Sequence, residues 1–286
     1  MSADPSRRGL ACGEIVLLLA IIVVVGALLL PAIQRMRCAA ARINCQNHLK
    51  TIGLGIHGYH QLHGHLPPGG MHVYPPESPR LADPFATTPE ARAASWSWAY
   101  HILPHLDQIE LYHHCDPNVV RSTPVKVYYC PARRPALAWE GLAKIDFAAN
   151  AGTLSTGADG VIMQTPLGTL RLADITDGLS GTVLAGEKQL NLLALGRSPD
   201  DNEAYCTPGW NGDGEVYRSG AVAPAADFRS PAESVPSLAF GASHPLGFNV
   251  VFCDGSIRHV RYSVSPVIWM RACIRNDHAE YRQNNF

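Results

Sequence analysis

Charge is scarce in this chain and is nowhere concentrated in one sign. Asp, Glu, Lys and Arg make up 16% of the residues, and 23 basic against 24 acidic side chains leave a net charge of −1. Nucleic-acid binding calls for a basic stripe or patch facing phosphates. None follows the N-terminal segment, so no nucleic-acid partner is expected. The chain also has no internal repeat, which excludes solenoids and propellers. No Ala-x-Ala site closes the apolar run near the N-terminus, and that run exceeds the roughly 7–15 residues of a cleaved secretory signal. Cys38-Ala39-Ala40-Ala41 comes only after further arginines. A lipoprotein signal is excluded too, because the apolar run follows Cys12 instead of preceding it.

What the chain does have is one long hydrophobic run. Residues 7–33 read RRGLACGEIVLLLAIIVVVGALLLPAI, and no charged side chain occurs from Ile15 to Ile33. A helix of roughly 20 such residues spans the hydrocarbon core of a bilayer. Glu14 sits at the edge of the run, where a carboxylate is costly in lipid and marks function. Beyond Pro31, Ile33, Met36, Ala40, Ile43, Cys45, Leu49, Ile52, Ile56 and Tyr59 recur with largely helical spacing. The pattern predicts one helix from about Leu10 to His63, stopped by Gly64 and Pro67-Pro68. Gly53, Gly55 and Gly58 each weaken its later turns by about 1 kcal/mol relative to alanine, so packing must hold that end.

The N-terminal segment resembles the type IV prepilin class, which includes the pseudopilins of type II secretion. The resemblance rests on a basic leader ending in Gly9, Leu10 as first mature residue, Glu14 as the fifth, Ala20-Ile21-Ile22, and Pro31 at the helix-bending position. Leu10-Ala11-Cys12-Gly13 departs from the usual Phe-Thr-Leu-Ile of that class. The resemblance implies cleavage between Gly9 and Leu10 by prepilin peptidase, with N-terminal methylation. Glu14 then pairs with the Leu10 ammonium of a neighbouring subunit, and apolar helix faces pack alongside. The competing readings are a plain one-helix anchor and a Glu14 that snorkels to the headgroups.

Further along, residues 64–94 are dense in proline and predict irregular chain. Ser95 to His114 reads as a helix bent at Pro104, Val125 to Pro131 as a strand, and Thr182 to Glu187 as a second strand. Residues 196–236 read as a long functional loop. Asp254-Gly255 lies between alternating strands and predicts a two-residue hairpin turn within 247–262. Phe248, Val250 and Phe252 should share one face, with Ile257 and His259 or Val260 across from them.

His244 and Asp254-Gly255 form a His-x9-Asp-Gly arrangement. It resembles the C-terminal motif of a large family of bacterial prepilin-like proteins of unknown function, variously labelled pseudopilin-like or solute-binding. Asn44-Cys45-Gln46-Asn47, Tyr59-His60, Leu66-Pro67-Pro68-Gly69, Ser95-Trp96, Tyr129-Cys130-Pro131, Asn150-Ala151-Gly152 and Gly186-Glu187-Lys188 match that family in order. Gly181 departs from it, standing where the family carries Asn. Seven cysteines follow Cys12, an odd number that leaves at least one thiol unpaired or linking two chains. Because both lie in segments matching the family, Cys45 and Cys130 are the candidate disulfide.

Three chemistries are open to the head. Ser243, His244 and Asp254 match a hydrolase triad by residue type only, since Ser243 and His244 are consecutive and no oxyanion hole is evident. Thirteen histidines include His57, His60, His63 and His65, and His101, His105, His113 and His114, but zinc requires three or four converging ligands. Asn211, Asp213 and Glu215 alternate oxygen side chains with glycine, and calcium is the one cofactor this admits.

The resulting expectation is an α+β protein. Residues 1–9 form a leader and 10–64 a pilin-like helix crossing the membrane at about 15–33. Residues 65–286 form an extracytoplasmic head with an antiparallel β-sheet and the hairpin 247–262. The expected function is a non-enzymatic pilin- or pseudopilin-like subunit in the bacterial inner membrane, single-pass, with its head in the periplasm or at the cell surface. Its partners would be prepilin peptidase, other pilin-like subunits and a secretion or pilus assembly machine. The alternative is a membrane-anchored solute- or glycan-binding protein that uses the prepilin export route.

Overall fold

The computed structural model describes residues 12–71, 85–93, 95–206, 210, 212–231 and 237–278. Its first element, α1 (Cys12–His63), is one continuous helix of 52 residues that contains Pro31. Gly64 ends it with φ +77, a left-handed conformation that glycine adopts without a Cβ penalty. From Leu17 the helix is long and apolar enough to cross a membrane, and its most apolar stretch has a mean hydropathy of 2.7 with nothing buried. Two compact units divide at residues 42 and 43, inside this helix.

In the second unit, Cys45, Leu49, Ile52, Ile56 and Tyr59 are buried, which is the predicted face. Ile33, Met36 and Ile43, placed on the same face by spacing, are exposed. Gly53 and Gly58 have a packing reason. A Cβ on Gly53 would lie 2.8 Å from Val251 Cγ2, and one on Gly58 2.8 Å from His105 Nδ1. The helix thus comes closer to its neighbours than alanine would allow, which offsets the lost propensity.

After α2 (Pro89–Ala93), the segment expected to be one bent helix is three short pieces. They are α3 (Trp98–His101), a 3-10 turn (Leu103–Leu106) and α4 (Ile109–His113). Pro104 has no N–H to donate, and Asp107 at φ 58 turns the chain out of the right-handed region. Helix α5 (Pro117–Ser122) follows, capped by Asp116, whose Oδ1 accepts from Asn118 N at 2.8 Å.

The strand expected over 125–131 is instead a 3-10 turn at Lys126–Tyr128. Tyr128, Tyr129 and Cys130 are buried consecutively, so the apparent alternation does not correspond to two faces. Backbone groups here pair locally and with side chains: Tyr128 N donates to Val125 O, and Cys130 N to Asp146 Oδ2.

A small hairpin, β1 (Ala138–Trp139) with β2 (Leu142–Ala143), precedes the main sheet. That sheet comprises β3 (Phe147–Asn150), β4 (Val183–Glu187), β5 (Tyr217–Arg218), β6 (Gly247–Phe252) and β7 (Ile257–Arg261), in the order β5-β3-β4-β6-β7. Only the β3–β5 pair is parallel; the other three are antiparallel. With α1, this gives the α+β arrangement of a long apolar N-terminal helix and a β-sheet head.

Each face of the sheet carries a core. Phe248, Val250, Phe252 and Val260 pack with Phe240 and with Trp269 of α6 (Pro266–Cys273). Val251, Leu184 and Phe147 join Leu49, Ile52 and Ile56 of α1 in a core with Trp96, Trp98 and Tyr128. Val260 pairs with Phe248, whereas Ile257 pairs with Val251 and belongs to the α1 side. The hairpin loop is longer than two residues. Gly255 N donates to Phe252 O, Phe252 N donates to Ser256 O, and only Gly255, at φ +79, is left-handed. That is a turn followed by a glycine bulge.

His101 is buried, and its Nε2 lies 3.2 Å from Trp96 O. Burial pushes its imidazole down to about 4 from the ordinary 6.5. The unfolded chain therefore takes up a proton below pH 6.5 that the folded chain refuses until about pH 4. Stability must fall as pH drops through that window, by about 3 kcal/mol in total. His101→Gln should flatten this part of the pH profile, read as urea midpoints at pH 7 and 4.5. An unchanged slope would rule out His101 as its source.

Candidate functional site

Four segments distant in sequence meet between α1 and the sheet. Cys45 comes from α1, Cys130 from the turn after Lys126–Tyr128, Glu187 from the end of β4, and His244 from the segment before β6. All four are buried, and one donor atom from each lies within 4.8 Å of the others. The two Sγ atoms are 2.6 Å apart. His244 Nε2 stands 3.0 Å from Glu187 Oε1, and Cys130 Sγ lies 3.7 Å from the same oxygen.

Asn249 on β6 fixes the other oxygen of the carboxylate. Its backbone N–H and its Nδ2 donate to Glu187 Oε2 at 2.7 and 3.0 Å. The amide is itself oriented by Gln46 Nε2, which donates to Asn249 Oδ1 at 3.1 Å, and by His259 Nδ1 at 3.2 Å from the same atom. Burial opposes a charge on His244, yet its bonds to Cys130 and Glu187 push the imidazole up to about 10. The contact between the two thiols holds Cys130 below the ordinary thiol range and, with burial, pushes Cys45 above it.

Behind this group runs a buried ionic network. Arg133 donates to both carboxylate oxygens of Asp227, at 2.9 and 3.0 Å. Arg134 pairs with Asp146 at 2.7 Å and spans both oxygens of Asp201 at 2.5 and 2.8 Å. Lys188 Nζ lies 3.5 Å from Asp201 and donates to Asp200 O and Glu215 O. Arg218 Nη2 reaches Asp200 at 3.1 Å. The network ties Asp200, Asp201 and Arg218, within the stretch 196–236 read as a loop, to the residues flanking Cys130 and Glu187. Sequence reasoning overlooked it, although Arg133-Arg134 just after Cys130 and Asp200-Asp201 in a polar stretch were its signals.

The other sequence candidates fall as follows. Asp254 does not meet His244. Its Oδ1 accepts from Ser256 N at 2.8 Å within the hairpin turn, and the acid facing His244 is Glu187. The two residues of the His-x9-Asp-Gly arrangement are therefore not partners, and His244 Nε2 pairs with the Glu187 carboxylate. No triad forms, because Ser243 Oγ donates to Asp227 Oδ2 at 2.5 Å. The two histidine groups do not converge their ring nitrogens among the described residues; several instead surround Tyr59, with His63 stacked on it at 4.1 Å. Gly9, Leu10 and Asn211 lie outside the described residues, as does the side chain of Glu14. Glu215 is buried, its Oε1 accepting from Glu203 N, and burial holds its carboxyl well above the usual range. Neither it nor Asp213 belongs to a converging donor set among the described residues.

No curated protein and no solved structure matches the chain. A family model does, over residues 34–266, a stretch that contains all four converging side chains, the ionic network and most of both cores. On that match, the chain belongs to the bacterial prepilin-like family described as "Protein of unknown function (DUF1559)".

Proposed function

We propose that the chain is a non-enzymatic pilin-like subunit, trimmed between Gly9 and Leu10 and assembled through its N-terminal helix into a secretion-related or surface filament. The observation that carries this reading is the division of labour along α1. Its first half is apolar, with nothing buried in its most apolar stretch, and its second half, from Cys45, forms part of the head's core. An apolar stripe with Leu17, Leu18, Ile21, Val24 and Leu28 exposed is suited to lipid and to identical neighbours. N-terminal sequencing of the membrane-extracted protein tests the reading. A start at Leu10, together with higher-order species, is expected. An intact leader on a protein without such species overturns it.

A second reading, a tethered solute-binding protein, has one observation in its favour. A cleft of about 460 Å³ is lined by Thr153, Ser155, Thr156, Gln164, Trp210 and Tyr217, a set of hydroxyls, an amide and aromatic rings suited to a sugar-like solute. Crosslinks between neighbouring 10–33 segments favour the filament; a monomer with a saturable ligand favours the cleft.

A further inference from the structure

We propose that Cys45, Cys130, Glu187 and His244 form a closed site for a zinc-class divalent transition metal that pins α1 to the central sheet. Tetrahedral zinc with bonds of about 2.3 Å to sulfur and about 2.0–2.1 Å to nitrogen or oxygen sets ligand–ligand edges of about 3.6 Å for S–O, 3.3 Å for N–O and 3.8 Å for S–S. Cys130 Sγ to Glu187 Oε1 is 3.7 Å, and His244 Nε2 to Glu187 Oε1 is 3.0 Å. Two edges therefore stand within a few tenths of an ångström of the zinc values.

The third edge is compressed. At 2.6 Å the sulfurs are well inside non-bonded contact and stand between the about 2.0 Å of a disulfide and the about 3.8 Å of a shared zinc. A disulfide would satisfy the sulfurs alone. It would leave the buried Glu187–His244 pair bonded only to each other and to Asn249. A metal uses all four: opening the sulfur pair by about 1.2 Å brings that edge to its zinc value, and all four donor atoms already lie within 4.8 Å of one another.

The donor chemistry agrees, since two thiolates, an imidazole and a carboxylate suit zinc better than calcium or magnesium. The thiols give up their protons on binding. The outer shell is already in place: Asn249 holds Glu187 Oε2 through two donors and leaves Oε1 facing the other ligands. Four ligands with no open position make the site structural, and its ligands join the helix to the two adjacent strands whose ends they flank.

The experiment uses the full-length chain in mild detergent, purified without reductant, with a separate aliquot alkylated for peptide mapping. Metal analysis should give one zinc per chain. After chelation, cobalt(II) alone should restore a tetrahedral visible spectrum with thiolate charge-transfer absorption. Asn249→Ala retains all four donors and should weaken zinc binding about 10- to 100-fold. Glu187→Gln and Cys130→Ser should lower cobalt absorption further. If a variant does not fold, the wild-type cobalt spectrum still decides. A Cys45–Cys130 linked peptide in the native protein, free thiols without metal, or a cobalt spectrum lacking thiolate bands would each overturn the proposal.

Discussion

Replacing Glu14 by alanine is expected to leave the head folded and the leader removed, while cutting recovery in filaments by about 100-fold. The expectation follows from where the charge sits. Glu14 borders a stretch with no other charged side chain as far as Ile33, and translocon-type scales put an intramembrane carboxylate at about 3 kcal/mol. Such a cost is tolerated where a partner of opposite charge offsets it. Cleavage after Gly9 would create that partner, the Leu10 ammonium of the next subunit. In a low-dielectric setting the attraction is far stronger than in water. Losing about 3 kcal/mol per contact corresponds to roughly two factors of ten in association.

Processing does not use this pairing, so the mass of the extracted monomer should still begin at Leu10. Glu14→Asp, which keeps the charge on a shorter arm, should recover part of the assembly. If Glu14 merely snorkels to the headgroups, the alanine variant loses nothing and should assemble like the wild type. Counting subunits in sheared filaments against total membrane protein separates the two outcomes.

The parts of this protein legible in its sequence are those governed by a single period. Helix α1 ends at His63 as read, because one face is apolar at helical spacing and Gly64 and Pro67 stop it, while its expected start at Leu10 lies outside the described residues. Strands β4 and β6 read correctly because Gly and Asp punctuate them. Strand β3 was not legible: Phe147-Ala148-Ala149-Asn150 is buried on both faces, so it has no alternation, and alanine carries no β preference. The segment 125–131 misled because adjacent tyrosines on a 3-10 turn imitate a strand.

At the candidate site, Cys45 and Cys130 were visible as a pair, and His244 as part of a motif. Its true partner was not visible, because Glu187 is brought to it by sheet order, 57 residues away, while Asp254 was nearer in sequence. The charge network was hidden for the same reason. Arg134 and Asp201 are 67 residues apart, and composition cannot say which charges will be buried together.

That network supplies the second large effect. Asp201 is fully buried, spanned by Arg134 at 2.5 and 2.8 Å, approached by Lys188 at 3.5 Å and bonded to Gly196 N at 2.7 Å. Burial opposes its charge, but the neighbouring Arg134 and Lys188 cations hold its carboxyl below the usual range. Asp201→Asn should therefore destabilise the head by about 3–5 kcal/mol, because it takes the shared carboxylate from two buried cations and leaves Arg134 with Asp146 alone. Since the folded carboxyl is the more acidic, its contribution is present above about pH 4 and fades below that in the wild type. The asparagine variant lacks this acid-dependent component.

Arg134→Met with Asp201→Leu should cost less than the sum of the two single changes, because the double variant removes the pair as a unit. It does not restore full stability, since Asp146 keeps only Arg133 and Lys188 keeps no carboxylate at Asp201. Urea unfolding of the four proteins measures the coupling, and additivity within error would mean the pair contributes nothing as a pair. Limited proteolysis adds where the loss is felt. Asp201 anchors the 196–218 segment through Gly196, and Lys188 is the residue after Glu187. Cleavage within that segment should accelerate before cleavage in β6, placing the network as the clamp that holds the back of the Cys45–Cys130–Glu187–His244 group in register.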